Sequence, residues 1–300
     1  MYNKYRRFPY NRYYQFHQVM NKTGILIIGV IYNTWPETIR YLDSLAPLAK
    51  DDFSLILVDN SDIEKPSDFL EKIRSNPFLH YIETGKNLGY FGGARVGLAY
   101  YLQKHTTYPQ WILVTNVDIV FTPSFFDRLN ELNDQKNLGM VAPSIISQKW
   151  NIDFNPKILV RNSKRKVQFN QFLYSNFLFQ NMYFTGAYVY KWIRGLMRVK
   201  DSRLTDPGQK RRKIYAPHGS CLVFKDTYFI SGGTLDLPNF LFGEEIFVAE
   251  TTASLGLDVI YDHRLVIHDH EHASVGFWVT STINKYYRES ILSILEHYYH

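Results

Sequence analysis

Three polar groups stand where apolar runs stop, and these are the first residues that could do chemistry. Ile25–Ile31 runs into Tyr32 and Asn33, Phe53–Val58 into Asp59, Asn60 and Ser61, and Trp111–Val114 into Asn116, Val117 and Asp118. Each run has the length of a strand covered on both faces, and open sheets bind ligands beyond the carboxyl ends of their strands. A single carboxylate there can equally cap the next helix, but three polar ends on one edge favour a site. Asp118 is the sharpest candidate. A lone carboxylate past a buried strand is costly unless it is paired or metal-bound, and oxygen donors suit Mg²⁺ or Mn²⁺. His263, His268, His270 and His272 cluster late in the chain. Asp118, one of these histidines and substrate phosphates can complete an octahedral shell. Glu244 and Glu245 open a predicted helix, where they either stabilise its dipole or supply a general base.

Asn87-Leu88-Gly89 with Gly92, Gly93 and Gly97 fits neither of the common glycine-rich phosphate loops. It does bring small residues to a helix start, which allows close backbone approach and favours anions. Tight helix–sheet packing explains the same glycines equally well.

Stepping outward, the spacing predicts the elements that must hold these residues. Helices are expected from Pro36 to about Leu48, after Pro66, over Phe91–Lys104, near Pro123 and over Glu244–Leu255. Further strands are expected at Leu79–Ile82, Met140–Ile145, Ser220–Phe224 and Asp258–Tyr261. This alternation predicts an α/β fold with a mostly parallel central sheet. Phe277–Tyr299 reads as a terminal amphipathic helix that either packs on the body or forms a homodimer.

The 300 residues, 45% hydrophobic and 21% charged, are enough for one large domain or two small ones. The single Cys221 excludes a disulfide scaffold and any multi-cysteine zinc module. No apolar run reaches the ~18 residues of a membrane span, and the first twenty residues lack the apolar core of a secretory leader. A cytoplasmic protein is the resulting expectation.

The net charge of +6 is unevenly divided. Residues 1–22 carry +5 and residues 151–215 carry +11, which leaves an acidic body at −10. We therefore read 1–22 as a mobile or surface-lying basic arm and 23–300 as one domain. Within it, two α/β stretches (23–150 and 215–275) flank a basic aromatic insertion (151–214), and a C-terminal helix (276–300) follows. Phe177 to Arg198 has the composition of an interfacial helix facing anionic lipid; a core-covering helix with a solvated basic end is the competing reading. Basic residues interleaved with aromatics also permit nucleic-acid binding, but the candidate site belongs to the acidic body, which argues against it.

The ordered motifs together resemble glycosyltransferase family 2, which has the GT-A fold, and within it the rhamnosyltransferase-like bacterial members. The resemblance spans about 24–146 and 215–275, and it implies a single catalytic domain over 23–300 with a nucleotide-binding half (23–150) and a catalytic and acceptor half (215–275). It rests on Val30-Ile31-Tyr32-Asn33, Val58-Asp59-Asn60-Ser61, Asn87-Leu88-Gly89 with Gly92-Gly93, and Thr115-Asn116-Val117-Asp118. It continues through His218-Gly219-Ser220-Cys221, Gly232-Gly233 with Asp236, Phe242-Gly243-Glu244-Glu245, and His268 with Ser274.

The resemblance implies inverting transfer of a sugar from a UDP- or dTDP-sugar to a hydroxyl of a saccharide or lipid-linked saccharide. The implied setting is bacterial cell-surface polysaccharide synthesis, such as capsule or O-antigen, on the inner face of the plasma membrane. It further implies that Asp59 binds the donor base, and that Tyr32, Asn33, Asn60, Asn87, Gly89 and Asn116 line the nucleotide pocket. Asp118 and His268 would hold the metal, and His218, Gly219 and Ser220 would meet the donor sugar or the acceptor. Glu245 falls on the family's catalytic base, with Glu244 the alternative. Asn116 stands where the family's metal motif has its first Asp, and Glu245 replaces an Asp. Arg95 replaces an Asn and is a candidate for a donor phosphate. Two other readings are a non-catalytic saccharide- or membrane-binding relative and a nucleotidyltransferase, although no glycine-rich basic loop follows the first strand.

Overall fold

The computed structural model describes residues 13–14, 24–51, 53–76, 79–196, 211–270 and 279–300. The expected arm (1–22, apart from the backbone of 13–14), part of the basic stretch (197–210), and His272 and Ser274 lie outside the described residues.

The described strands form one mixed sheet in the order β1-β4-β3-β2-β5-β9-β7-β10-β6, with β8 on β10. These are β1 (Tyr13–Tyr14), β2 (Ile25–Ile31), β3 (Phe53–Asp59), β4 (Leu79–Glu83) and β5 (Trp111–Asn116). They continue as β6 (Ile119–Phe121), β7 (Leu138–Ser147), β8 (Arg212–Ile214), β9 (Cys221–Lys225) and β10 (Asp258–Asp269). The half β4-β3-β2-β5 is parallel, and its largely apolar central strands β2, β3 and β5 are covered by helices on both faces. β9 then runs antiparallel between β5 and β7, while β7 and β10 pair parallel.

The helices are α1 (Trp35–Leu45), α2 (Ser67–Ser75), α3 (Tyr90–Lys104), α4 (Phe125–Asn130), α5 (Lys164–Tyr174) and α6 (Phe177–Leu196). They are followed by α7 (Asp226–Ile230), α8 (Glu244–Ser254) and α9 (Ser281–Tyr298). One apolar layer joins the sheet to α1, α2 and α4 through Tyr41, Phe69, Phe125 and Leu265. The other joins it to α3 and α8 through Leu26, Phe91, Leu98 and Phe247. Every residue of β2 and β3 is buried, so the chain can turn polar only at the strand ends, where the candidate residues sit.

Several details differ from the sequence reading. β10 runs eight residues further than Tyr261, because after a register shift Val266–Asp269 pairs with β7 and Ile267–Asp269 also with β6. The three-residue β6 was not foreseen; it is too short to carry a pattern. Lys164–Tyr174, read only as a basic cluster and the start of an aromatic stretch, is a helix that Ser163 caps by accepting the Lys166 N–H, while the helix expected from Phe177 is present as α6. The terminal helix begins at Ser281, where Thr280 accepts the Ile283 N–H, rather than at Phe277. Tyr13–Tyr14 adds antiparallel to β4, so the arm touches the sheet edge at those two residues.

Candidate active site

The first two strand ends are tied into one rim. Asn33 takes a left-handed backbone (φ 56°), and its N–H donates to Ser61 Oγ at 2.9 Å. Its Nδ2 donates to Asp62 Oδ1 at 2.8 Å, and the Tyr32 hydroxyl donates to Asp62 Oδ2 at 3.2 Å. The Asn33 amide holds the Asp62 carboxyl below its usual range. Asp62, which sequence reasoning passed over, thus braces Tyr32 and Asn33.

Asp59 is buried at the end of β3. It accepts the Tyr81 hydroxyl and the Ser61 N–H (2.9 Å), and Lys65 Nζ stands 3.5 Å from its Oδ2. Its position is therefore held from inside the protein. Asn60, also buried, donates to the Gly89 carbonyl at 2.9 Å and accepts the Thr84 hydroxyl at 3.1 Å.

Asn87 accepts the Gly89 N–H at 2.9 Å, a local turn that starts α3. Gly89 is required there twice over. Its φ is 74°, and a β-carbon would penetrate the Phe240 carbonyl oxygen. Gly93 and Gly97 answer to packing instead: a β-carbon would stand 2.9 Å from Val30 Cγ1 at the first and 2.6 Å from Ile28 Cγ2 at the second. The small residues thus seat α3 on the sheet and bring the 240 loop onto its start. Arg95, a turn along, places Nε 3.1 Å from Asp236 Oδ1 and so pairs with an acid of the protein itself.

Tyr90, at the first position of α3, lies between the acids. Its hydroxyl reaches the carbonyls of Val114 and Gly219, both at 2.9 Å. Burial, with Glu244 and Asp118 among the nearby acids, pushes its phenol far up, so it stays a donor.

Asp118 follows β5, and its carbonyl accepts the His270 N–H at 3.0 Å. The residue keeps some solvent contact, but its Oδ1 is enclosed and has no hydrogen-bond partner. Burial and then Asp269 push its carboxyl up to about 7. Asp269 is buried and accepts the Ser220 hydroxyl at 3.2 Å. It continues the inward row Leu265, Ile267, so strand alternation puts His268 on the opposite face of β10. The structure thus sets Asp269 beside Asp118, where the sequence reading had placed His268. An enclosed carboxylate oxygen beside a second buried carboxylate is a donor set that a hard divalent cation relieves, so the residues fit one. No three His, Cys, Asp or Glu side chains among the described residues converge to hold a metal by themselves. Substrate oxygens and water would have to supply the other ligands.

His218 and Ser220 stand next to Asp269. His218 Nδ1 lies 3.0 Å from Ser220 Oγ, and its ring stacks on Phe154 with centroids 5.2 Å apart. Its N–H donates to Asn155 Oδ1 at 2.8 Å, and Asn155 is in turn held by Asp153, which also accepts from Ser144 and Tyr261. Asn116 is tied to this segment by its N–H donating to the Ser220 carbonyl at 2.9 Å.

Gly243 (φ 87°) turns the chain into α8, whose first residues are Glu244 and Glu245. Glu244 is buried, and its Oε1 accepts the Phe242 N–H at 3.1 Å. Burial and then the neighbouring Glu245 push its carboxyl well above the usual carboxylate range, toward the protonated form. Glu245 is the more accessible of the pair and lies over Gly219, where a β-carbon would come within 3.3 Å of its Oε1.

Asp59, Asn60, Asn87 and Gly89 therefore gather on one part of the sheet edge. Asp118, His218, Gly219, Ser220, Glu244 and Glu245 gather on the other, around Tyr90. Asp62, Tyr90, Asn155 and Asp269 were missed. Asp269 continues the period-two row of Leu265 and Ile267, but that row counts as a signal only once β10 is known to run past Tyr261.

Comparison with known proteins gives this edge a context. A family model described as "Glycosyl transferase family 2" matches residues 26–197, so the match runs on through much of the basic stretch. The low-salt glycan biosynthesis hexosyltransferase Agl10 of Haloferax volcanii is 24% identical over 193 residues. That alignment takes 64% of this chain and 50% of the relative, so the chain spans about half the length of the curated relative it matches. A crystal structure of GalNAc-T7 with UDP, GalNAc and Mn²⁺ superposes at TM-score 0.54 with 12% identity, over 89% of this chain and 48% of that one. A mannosyltransferase, PcManGT from Pyrobaculum calidifontis in complex with GDP-Man and Mn²⁺, superposes at 0.49 with 16% identity, over 89% and 63%. The first of these superpositions places the sheet among GT-A folds.

Proposed function

This chain belongs to glycosyl transferase family 2, and on that premise we propose that it is an inverting hexosyltransferase. It moves a sugar from a UDP- or dTDP-sugar to a hydroxyl of a saccharide or a lipid-linked saccharide. A relative named as a hexosyltransferase and a fold relative that holds UDP, GalNAc and Mn²⁺ support this reading. The single observation that carries it is the arrangement around Tyr90: Asp118 and Asp269 on one side, the Glu244–Glu245 pair on the other.

Tyr32, Asn33, Asp59, Asn60 and Asn87 form the nucleotide end, with the rim pre-ordered by Asp62. Asp118 and Asp269 would hold Mg²⁺ or Mn²⁺ together with the donor diphosphate, and the bound cation supplies charge neutralisation of the leaving group. Glu245 removes the acceptor hydroxyl's proton as that oxygen forms its bond to the anomeric carbon and the bond to the diphosphate oxygen breaks on the opposite face. Glu245, the more accessible of the pair, is the one placed over Gly219. Tyr90, held on two carbonyls, keeps the floor of the site in register.

Glu245→Gln tests the assignment. It should lose at least about a hundredfold in transfer, measured as nucleoside diphosphate released from a panel of UDP- and dTDP-sugars with acceptor, and still bind nucleotide. Transfer at the parental rate would remove Glu245 as the base.

A further inference from the structure

Helix α6 is built inside out. Two of its polar side chains are buried: Asn181 exchanges hydrogen bonds with the Val279 backbone at 3.0 and 2.8 Å, and Gln180 Oε1 accepts from Asn284 at 2.6 Å. Large apolar side chains face outward instead, with Leu178 57%, Met182 72% and Tyr190 61% exposed. Phe169 and Phe172 on α5 extend the same surface at 54% and 60%. A helix that met only water would carry the reverse pattern.

Charge identifies what covers this face. Residues 154–200 contain nine Lys or Arg and no Asp or Glu. Lys164, Arg165 and Lys166 on α5 are all exposed. Opposing two copies of this face would set cation against cation with no acid in the segment to pair them. Anionic headgroups bring the missing charge, and the acyl boundary takes the apolar side chains. No helix among the described residues is long and apolar enough to cross a membrane, so the helix pair would lie on the bilayer.

We propose that the α5–α6 face docks on the surface of an anionic lipid bilayer. The inner side of α6 leads to the site. Phe184 packs edge-on against Tyr287 at 5.8 Å, Tyr287 stacks on Phe242 at 3.8 Å, and the Phe242 N–H is held by Glu244. The bilayer would thus border the acceptor side, where a lipid-carried hydroxyl can arrive. That last consequence rests on the transferase reading; the docking itself does not.

The test is co-sedimentation of the full chain with vesicles of phosphatidylcholine alone or mixed with phosphatidylglycerol, at low and high salt, with no sugar nucleotide present. Binding is expected only to the mixed vesicles and should fall about tenfold or more at high salt. Two variants, K164E/R165E/K166E and M182E/Y190E, should each lose about tenfold or more of that binding while unfolding at the parental temperature. No binding to mixed vesicles at low salt overturns the proposal. So does equal, salt-insensitive binding to both vesicle types, or M182E/Y190E binding as the parent does. A concentration-dependent dimer in sedimentation velocity, abolished by M182E/Y190E, would assign the face to a second copy and overturn it too. Because no transfer is measured, these failures are separate from a failure of the transferase reading.

Discussion

The Tyr90 hydroxyl meets the Gly219 carbonyl at 2.9 Å across 129 positions of sequence, joining the start of α3 to the segment that carries His218 and Ser220. The same hydroxyl reaches Val114 at the end of β5. One phenol thus sets the spacing between the Asp118 side of the site and the Glu245 side. Tyr90→Phe keeps the ring and removes the donor, leaving two carbonyls with weaker partners. It should lower stability by about 1–2 kcal/mol in urea unfolding. It should also reduce transfer turnover more than nucleotide affinity. A variant with parental stability would show that the hydroxyl does not join the two halves.

Gly89 gives a harsher test of the same junction. Ala there must adopt a φ near 74° and displace the Phe240 backbone. Strain of this kind is worth about 1–3 kcal/mol at one residue, before the cost of moving the loop. Gly89→Ala should therefore lower the thermal midpoint and weaken nucleotide binding together. Gly85→Ala is the control: it shares the positive φ (70°) but has nothing within 4 Å of its β-carbon, so it should show the backbone strain alone. Equal losses in the two variants would mean that the Phe240 contact contributes nothing.

The acids proposed to hold a divalent cation separate what the sequence disclosed from what it could not. The apolar runs at 25–31, 53–58 and 111–114 appear as β2, β3 and β5, and their polar ends share one edge, because strands buried on both faces leave only one place for a carboxylate. The partner of Asp118 was not legible in the same way. His268 and Asp269 are adjacent, and choosing between them needs the register of β10 on β6 and β7, which is settled by pairings more than a hundred residues distant. The long β10, the three-residue β6 and the Tyr90 bridge depend on such non-local pairing too. Asp269→Asn should weaken Mn²⁺ binding, titrated calorimetrically with nucleoside diphosphate present, by about tenfold or more; His268→Asn should leave it within about twofold. The opposite ranking would restore the histidine.

Mn²⁺ binding should also report the protonation of Asp118. Its carboxyl is pushed up to about 7, by burial first and then by Asp269. A carboxylate must lose its proton to ligate a cation. Apparent affinity should therefore rise between about pH 6 and about pH 8, with about half a proton released per cation near the midpoint and about one well below it. In Asp118→Asn the pH dependence should flatten along with the loss of affinity. A pH-independent affinity in the parent protein would separate Asp118 from the cation.

Glu244 makes a stability prediction with the opposite sense to a salt-bridged acid. Its carboxyl rises from 4.5 to about 8 on folding, through burial and the adjacent Glu245. Below pH 4.5 it is protonated in both states and contributes no difference. Between 4.5 and about 8 the unfolded chain releases the proton while the folded chain keeps it, so stability falls as pH rises and levels off above about 8. Glu244→Gln keeps an acceptor for the Phe242 N–H and removes the titration. The variant should match the parent near pH 4 and exceed it by an amount on the order of a few kcal/mol near pH 9, in denaturant unfolding at each pH. The same variant divides the two acids by role. If Glu245 is the base, Glu244→Gln retains most transfer at neutral pH. If Glu244→Gln abolishes transfer while Glu245→Gln does not, the base is Glu244.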